Sequence, residues 1–383
     1  MTALKTPMGV PGVPCAPWYV LKSPLRFTVS KKLMSGNHAI GEAAVRAGCR
    51  CYFGYPITPQ NEIAEYMAHR LNELEDGVFI QAESELAGIN MVIGASMAGA
   101  RVMTSSSSPG ISLKQEGISF LCALELPAVI VNMTRGGPGL GNIAPAQSDY
   151  FQATRGGGHG DYRTIVLAPS TVQESVDLTV EAFQLADSYR IATVILGDGM
   201  LGQMMEPVEF PDGKLPKPPV KDWTLTGAKG RPSRFIRSLL LDPVAEEELN
   251  WKLARKHERI AAHEVRYEAY RLEDAKMVVV AFGSAARIAK GAIKRTREEG
   301  LKVGLLRPIT LWPFPHKIIK DVAKKVGHFL VYEMNTGQMV EDVRLALGGK
   351  GEVSFYGRPG GVVITPLEMS RVISSRYYQK GLK

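Results

Sequence analysis

From Met34 to about Glu206, apolar residues recur first at helical spacing and then in short continuous runs, over and over. Asn37 to Ala47 has the three-and-four spacing of an amphipathic helix, Cys51 to Phe53 is a short apolar strand, and Gln60 to Arg70 is helical, opening just after Pro59. Val78 to Gln81, Arg101 to Thr104 and Ala128 to Asn132 are further strands, with a helix over Ser84 to Ala98. Ile165 to Leu167 and Ala192 to Leu196 extend the series around a helix from Val172 to Ser188. Short strands alternating with longer helices predict a parallel sheet covered on both faces.

After Glu206 the pattern breaks. Pro, Lys, Gly and Asp dominate to Arg234, as in Pro216-Lys217-Pro218-Pro219, which marks an irregular connection, and Arg234 to Leu272 reads as charged and mostly helical. A second α/β unit begins with strand Met277 to Phe282, turns at Gly283-Ser284-Ala285 and runs through a helix to Glu299. Strand Val303 to Leu306, a helix after Trp312-Pro313-Phe314-Pro315 and strand Phe329 to Glu333 complete it. The expected organisation is an extension over 1–30, a first domain over 31–206, a connection over 207–273 and a second domain over 274–383.

The 383 residues suffice for two such domains, and 45% hydrophobic with 22% charged residues is a globular composition. No apolar run approaches the roughly 20 residues that span a membrane, and the stretch before Lys31 lacks a signal peptide's apolar core and cleavage site. The expectation is a cytoplasmic chain with no membrane partner. The four cysteines, Cys15, Cys49, Cys51 and Cys122, include no C-x-x-C pair, so neither zinc nor an iron–sulfur cluster is expected in this chain. The net charge of +8 comes from Lys and Arg spread along the sequence, which reads as solvated faces and not as a nucleic-acid surface.

Four segments carry candidate chemistry, each just after a predicted strand: Tyr55 to Gln60, Gln81 to Glu85, Thr104 to Gly110 and Thr134 to Gly141. Ligands of an open parallel sheet bind outside the carboxyl ends of its strands, so the four should converge on one site. Each also has an ordinary structural role open to it. Thr58 can cap the following helix, the serine run before Pro109-Gly110 can be a turn, and Glu85 can complement a helix dipole. Arg135, before a glycine-rich loop, suits bidentate capture of a carboxylate or phosphate. The run Arg155 to Asp161 lacks the dinucleotide-fingerprint spacing and reads as a permissive turn near the site, with His159 a candidate substrate-facing donor.

Taken together, Y-P-I-T-P-Q at 55–60, Q-A-E-S-E at 81–85 and T-R-G-G-P-G at 134–139 resemble the alpha subunit of 2-oxoacid:ferredoxin oxidoreductases, and the likeness extends from Gly36 to the end. It implies an α/β fold: a pyrimidine-type thiamine-diphosphate-binding parallel-sheet domain followed by a transketolase C-terminal-like α/β domain. The G-S-A-A turn and L-R-P-I-T-L-W-P-F-P within Val279 to Phe314 carry the second likeness.

The resemblance makes Glu85 the carboxylate that bonds the cofactor's pyrimidine N1′ and activates it; Glu83 would point elsewhere. It makes Pro56, Ile57, Ser107 and Ser108 cofactor-binding, and Thr58, Arg135, Gly139 and Leu140 substrate-binding, with Arg135 gripping the substrate carboxylate. The implied reaction is coenzyme A-dependent oxidative decarboxylation of a 2-oxo acid, the thiazolium acting as electron sink and the electrons passing through iron–sulfur clusters to ferredoxin.

Gly197-Asp198-Gly199 opens like the magnesium and diphosphate motif of thiamine enzymes, but the first Asn after it is Asn250, too far along to complete the motif. Asp198 then reads as a strand-end turn residue. Magnesium, the diphosphate and a [4Fe-4S] cluster are therefore expected on a beta subunit, with gamma and ferredoxin-like delta subunits completing the complex. The apolar Gly139-Leu140 after the Arg resembles the branched-chain group, 3-methyl-2-oxobutanoate, more than the 2-oxoglutarate group, where Ser-Thr is commoner. Aryl 2-oxo acids such as phenylglyoxylate stay open, as does a purely assembling or docking role.

Overall fold

The computed structural model describes residues 31–211 and 218–382; the extension, with Cys15, and the Pro216-Lys217 part of the connection lie outside the described residues. The first half comprises, in order, β1 (Lys32–Ser35), α1 (Gly36–Arg46), β2 (Cys51–Gly54), α2 (Asn61–Asn72), β3 (Val78–Gln81), α3 (Glu85–Met97), β4 (Val102–Ser106), α4 (Ser108–Ala123), β5 (Ala128–Thr134), α5 (Tyr150–Arg155), β6 (Ile165–Leu167), α6 (Val172–Tyr189), β7 (Ala192–Asp198), α7 (Gly199–Gln203) and β8 (Met205–Val208). The second comprises α8 (Pro243–His263), β9 (Tyr267–Tyr270), β10 (Met277–Val280), α9 (Gly283–Glu298), β11 (Val303–Pro308), β12 (Thr310–Trp312), α10 (His316–Val322), β13 (His328–Glu333), α11 (Met339–Leu347), β14 (Glu352–Gly357) and α12 (Pro366–Gln379).

A seven-stranded sheet runs β12-β6-β7-β5-β4-β2-β3, parallel except for β12. Strand β5 shows why its members must be central: every residue is buried, and side chains alternate between two cores. Ala128 and Ile130 join the core that continues into the second half, while Val129, Val131 and Met133 face Ile40, Ala43 and Phe183. A five-stranded sheet, β14-β13-β10-β11-β9, forms the second unit, parallel except for β9. Among the described residues no helix is long and apolar enough to cross a membrane.

One reading of the pattern needs correction, and one strand is added to it. The stretch Arg234 to Leu272 is helical only over α8; Tyr267–Tyr270 is instead an edge strand, antiparallel to β11. Glu268 stands opposite Arg307 of β11, and its carboxylate accepts from Arg307 Nε at 2.8 Å, so the pairing is fixed by a strand distant in sequence. The segment before Trp312-Pro313, to which the pattern assigns no element, is a further strand: β12 pairs antiparallel with β6, so the second half adds an edge to the first sheet. Pro313 ends it, since proline cannot continue the ladder.

The two halves meet through satisfied polar groups. Gln147 donates its amide to the Phe282 carbonyl (2.9 Å) and accepts from Met334 N (3.1 Å), while Asn335 Nδ2 donates to the Gln147 carbonyl (2.9 Å). Arg307, 3% exposed, forks onto both Glu174 oxygens at 2.9 and 2.6 Å. Arg307→Met is expected to destabilise the chain by about 3 kcal/mol, because two facing carboxylates lose their shared cation. Urea unfolding of the variant checks this, and a loss under about 1 kcal/mol contradicts it.

Candidate functional site

Strands β5, β4, β2 and β3 are neighbours in that order, so the four polar segments do line one carboxyl edge. The chain leaves β2 for β3 on one side and returns to β4 on the other, which puts the topological switch point between β2 and β4. At that seam Tyr52 OH and Ser105 Oγ are 2.6 Å apart, Ser105 also bonds the Gln60 side chain, and Gln60 Nε2 donates to the Tyr55 carbonyl at 3.2 Å. The loop carrying Pro56, Ile57 and Thr58 is thereby tied to the sheet.

Glu85 is the first residue of α3. Ser84 caps the helix by accepting from Ala87 N at 3.2 Å, and Glu85 turns inward, 6% exposed, whereas Glu83 stands in solvent. Its carboxylate lies against Gly110 on α4: a Cβ there would overlap both Glu85 Oε1 and Ser106 Oγ and approach Glu85 Cγ to 3.0 Å. Ser106 and Ser107, fully buried beside it, have hydroxyls with no hydrogen-bond partner among the described residues. Such groups cost about 1–3 kcal/mol when left unpaired, so the two hydroxyls are available to bond a polar ligand. Behind Glu85 lies Lys114, which no motif marked. It follows Ile111 and precedes Ile118 at helical spacing, and that placement on the buried stripe was the available signal.

Arg135, at the end of β5 and 7% exposed, forms the second cluster. Its main-chain N donates to Ser108 Oγ (3.0 Å), Nη1 donates to the Thr58 carbonyl (3.0 Å) and Nη2 to the Leu140 carbonyl (3.0 Å). The guanidinium therefore draws two loops together, and three of its five N–H groups stay available, with Nε buried and unpartnered. Gly139 and Gly141 have φ of +68° and +60°, and a Cβ on Gly141 would overlap the Gly136 carbonyl, so this turn requires glycine. It presents Leu140 80% exposed and Ile143 nearby.

The remaining residues fall around these clusters. Thr58 is exposed and does not cap α2, whose N-cap is Gln60; its hydroxyl accepts only a long 3.5 Å bond from Asn61. Pro56 is exposed and Ile57 half-buried, and no hydrogen bond among the described residues ties either to Glu85. His159 is exposed on a turn whose Gly157 and Gly158 amides donate to Tyr162 OH at 3.1 and 2.9 Å. Asp198 is buried at the end of β7 and accepts from Met200 N (3.0 Å) and Leu201 N (3.1 Å), capping α7; burial pushes its carboxyl up and those amides oppose the shift. Cys49, Cys51 and Cys122 are buried free thiols, and no group of three metal-ligating side chains gathers among the described residues.

The family model described as pyruvate flavodoxin/ferredoxin oxidoreductase, thiamine diphosphate-binding, matches residues 42–272, and the pyruvate:ferredoxin oxidoreductase core domain II matches 275–369. Ketoisovalerate oxidoreductase subunit VorB of Methanothermobacter marburgensis is 50% identical over 345 residues, covering 90% of this chain and 97% of that protein. The 2-oxoglutarate synthase subunit KorA of Methanothermobacter thermautotrophicus is 37% identical over 377 residues, covering 89% and 97%. Among solved structures, 2-oxoglutarate:ferredoxin oxidoreductase from Magnetococcus marinus, with 2-oxoglutarate, coenzyme A and succinyl-CoA bound, superposes with a TM-score of 0.81 at 28% identity, covering 91% of this chain and 65% of that longer one. A split-gene transketolase shares the fold alone, with a TM-score of 0.56 at 12% identity. The chain therefore belongs to the pyruvate flavodoxin/ferredoxin oxidoreductase family, as one subunit of a multi-subunit 2-oxoacid oxidoreductase.

Proposed function

We propose that this chain supplies the activating and substrate-gripping half of a thiamine diphosphate site that converts 3-methyl-2-oxobutanoate, with coenzyme A, to the acyl thioester and carbon dioxide, reducing ferredoxin. The observation that carries this reading is the Glu85 carboxylate, buried against Gly110 with the Ser106 and Ser107 hydroxyls unpartnered beside it. That donor and acceptor set fits an aminopyrimidine, which offers ring nitrogens and an amino group to bond. When bound, thiamine diphosphate supplies a thiazolium that takes up the electron pair released as carbon dioxide departs.

Glu85 holds a proton at the pyrimidine N1′, and Ser107 with the Pro56-Ile57 stretch frames the ring. Ser108, already bonded to Arg135, holds the two clusters in register. The three free N–H groups of Arg135 grip the substrate carboxylate, with the Thr58 hydroxyl at the same end. Tyr55, Leu86, Leu113, Leu140 and Ile143 surround the site as exposed apolar side chains, a surface for a beta subunit to cover and so exclude water. Asp198 is committed to capping α7, which supports placing magnesium, the diphosphate and the [4Fe-4S] cluster on that partner, with gamma and delta subunits beyond it.

Leu140 and Ile143 favour an apolar substrate tail, and the greater identity to the ketoisovalerate subunit than to the 2-oxoglutarate subunit points the same way. In the assembled complex kcat/KM is expected to be highest for 3-methyl-2-oxobutanoate and about 100-fold lower for 2-oxoglutarate, whose second carboxylate would lie unpaired beside Leu140. Phenylglyoxylate is the third arm of the assay. Preference for 2-oxoglutarate contradicts the substrate assignment.

A further inference from the structure

The buried face of α4 carries an ammonium group. Lys114 is 0% exposed, and its Nζ reaches behind the first turn of α3 to donate to the Glu85 carbonyl at 3.3 Å and the Thr104 hydroxyl at 3.1 Å. Gly88 makes the room, since a Cβ there would meet Nζ at 3.3 Å. Among the described residues no ion pair neutralises the lysine. A cation withdrawn from water without a counterion in contact destabilises a fold, and a methionine of similar length would pack there at lower cost, so packing does not account for the residue.

The groups that face Lys114 are few. Glu85 is the charged one, from α3; β4 presents the Thr104 hydroxyl, β2 the Phe53 carbonyl beside Gly88, and on α4 itself Glu116 is turned to solvent. Burial pushes the Lys114 ammonium down to about 8 and the Glu85 charge opposes that shift, so the lysine is charged at neutral pH and discharges just above it.

We propose that Lys114 is a positioning residue for Glu85: it anchors the first turn of α3 through the Glu85 carbonyl and sets a positive charge behind the carboxylate, which lowers the proton affinity of any ring that Glu85 holds. This rests on the proposed placement of Glu85 against the cofactor's pyrimidine. A fixed charge in the same pocket disfavours a second cation there, so the bound pyrimidine is kept ready to lose its proton.

The test is Lys114→Met in the assembled complex. Circular dichroism of the thiamine-diphosphate-loaded complex, followed against pH, reads the midpoint at which the bound aminopyrimidine loses its proton. Removing the charge is expected to raise that midpoint by about one pH unit, while the thermal midpoint of the cofactor-free complex stays equal or rises. Wild-type turnover should also fall as pH passes about 8, where Lys114 discharges, with that inflection absent from the variant. A pyrimidine midpoint unchanged in Lys114→Met, with a lowered thermal midpoint, assigns the lysine to packing and overturns the proposal. Should Lys114→Met fail to assemble, Lys114→Gln removes the charge while keeping a hydrogen-bond donor, and must likewise shift the midpoint upward; no shift overturns the proposal equally. Glu85→Gln separates the two layers. A wild-type midpoint in that variant removes Glu85 from the pyrimidine, whereas a shifted midpoint in Glu85→Gln with none in Lys114→Met removes only the lysine's role.

Discussion

Glu85→Gln in the assembled complex is expected to lower turnover by about 10²–10⁴-fold, the range contributed by a positioned proton-transfer group. The substitution keeps the shape of the side chain and its place at the start of α3, capped by Ser84. What it removes is the capacity to hold a proton at the pyrimidine, since an amide neither gains nor gives one. Loss of the favourable charge at the helix start costs only about 0.3–1 kcal/mol, too little to unfold the chain or disrupt assembly. Turnover measured beside size-exclusion elution separates the two effects. Full activity in a properly assembled variant contradicts the role given to Glu85.

Gly110→Ala should cost about 10²-fold in turnover, although at an ordinary helical position the same change stabilises by about 1 kcal/mol. Gly110 lies in the first turn of α4, where its hydrogen occupies the narrow space between Ser106 Oγ and Glu85 Oε1. A methyl group must push aside the carboxylate, the hydroxyl or the helix start, and a displacement near 1 Å at a reacting group has an effect of that size. The thermal midpoint should fall modestly, because displacing these buried groups offsets the helical gain, while kcat falls far more. Unchanged kcat would mean that the Glu85 carboxylate does not work from the position beside Gly110.

Much of the first sheet was legible because local pattern and burial agree there. Ile165–Leu167 is a fully buried apolar run, and β5 opens with the apolar run Ala128 to Val131 and is buried to its end because both of its faces are covered. What escaped were strands defined by distant partners. Tyr267–Tyr270 is a strand because β11 and Arg307 lie beside it, and Thr310–Trp312 because β6 offers an open edge. Short segments of this kind carry too few residues for their own periodicity to show.

The site divided along the same line. Glu85 and Arg135 stand out only in the company of the other strand-end segments, which the sheet order places side by side. Arg135 was expected to offer a free fork, yet it also holds the Thr58 and Leu140 carbonyls, a task invisible without the loops in place. Ser106, Gly110 and Lys114 acquire meaning from a packing contact between α3 and α4 that no linear motif encodes.

The central claim is that Glu85 activates the cofactor before any substrate is engaged. Its most direct test is the rate at which the thiazolium C2 proton of bound thiamine diphosphate exchanges with deuterated solvent, compared at equal cofactor occupancy in the wild-type and Glu85→Gln complexes. Exchange slower by about 10²-fold or more in the variant is the predicted result; equal exchange rates would contradict it.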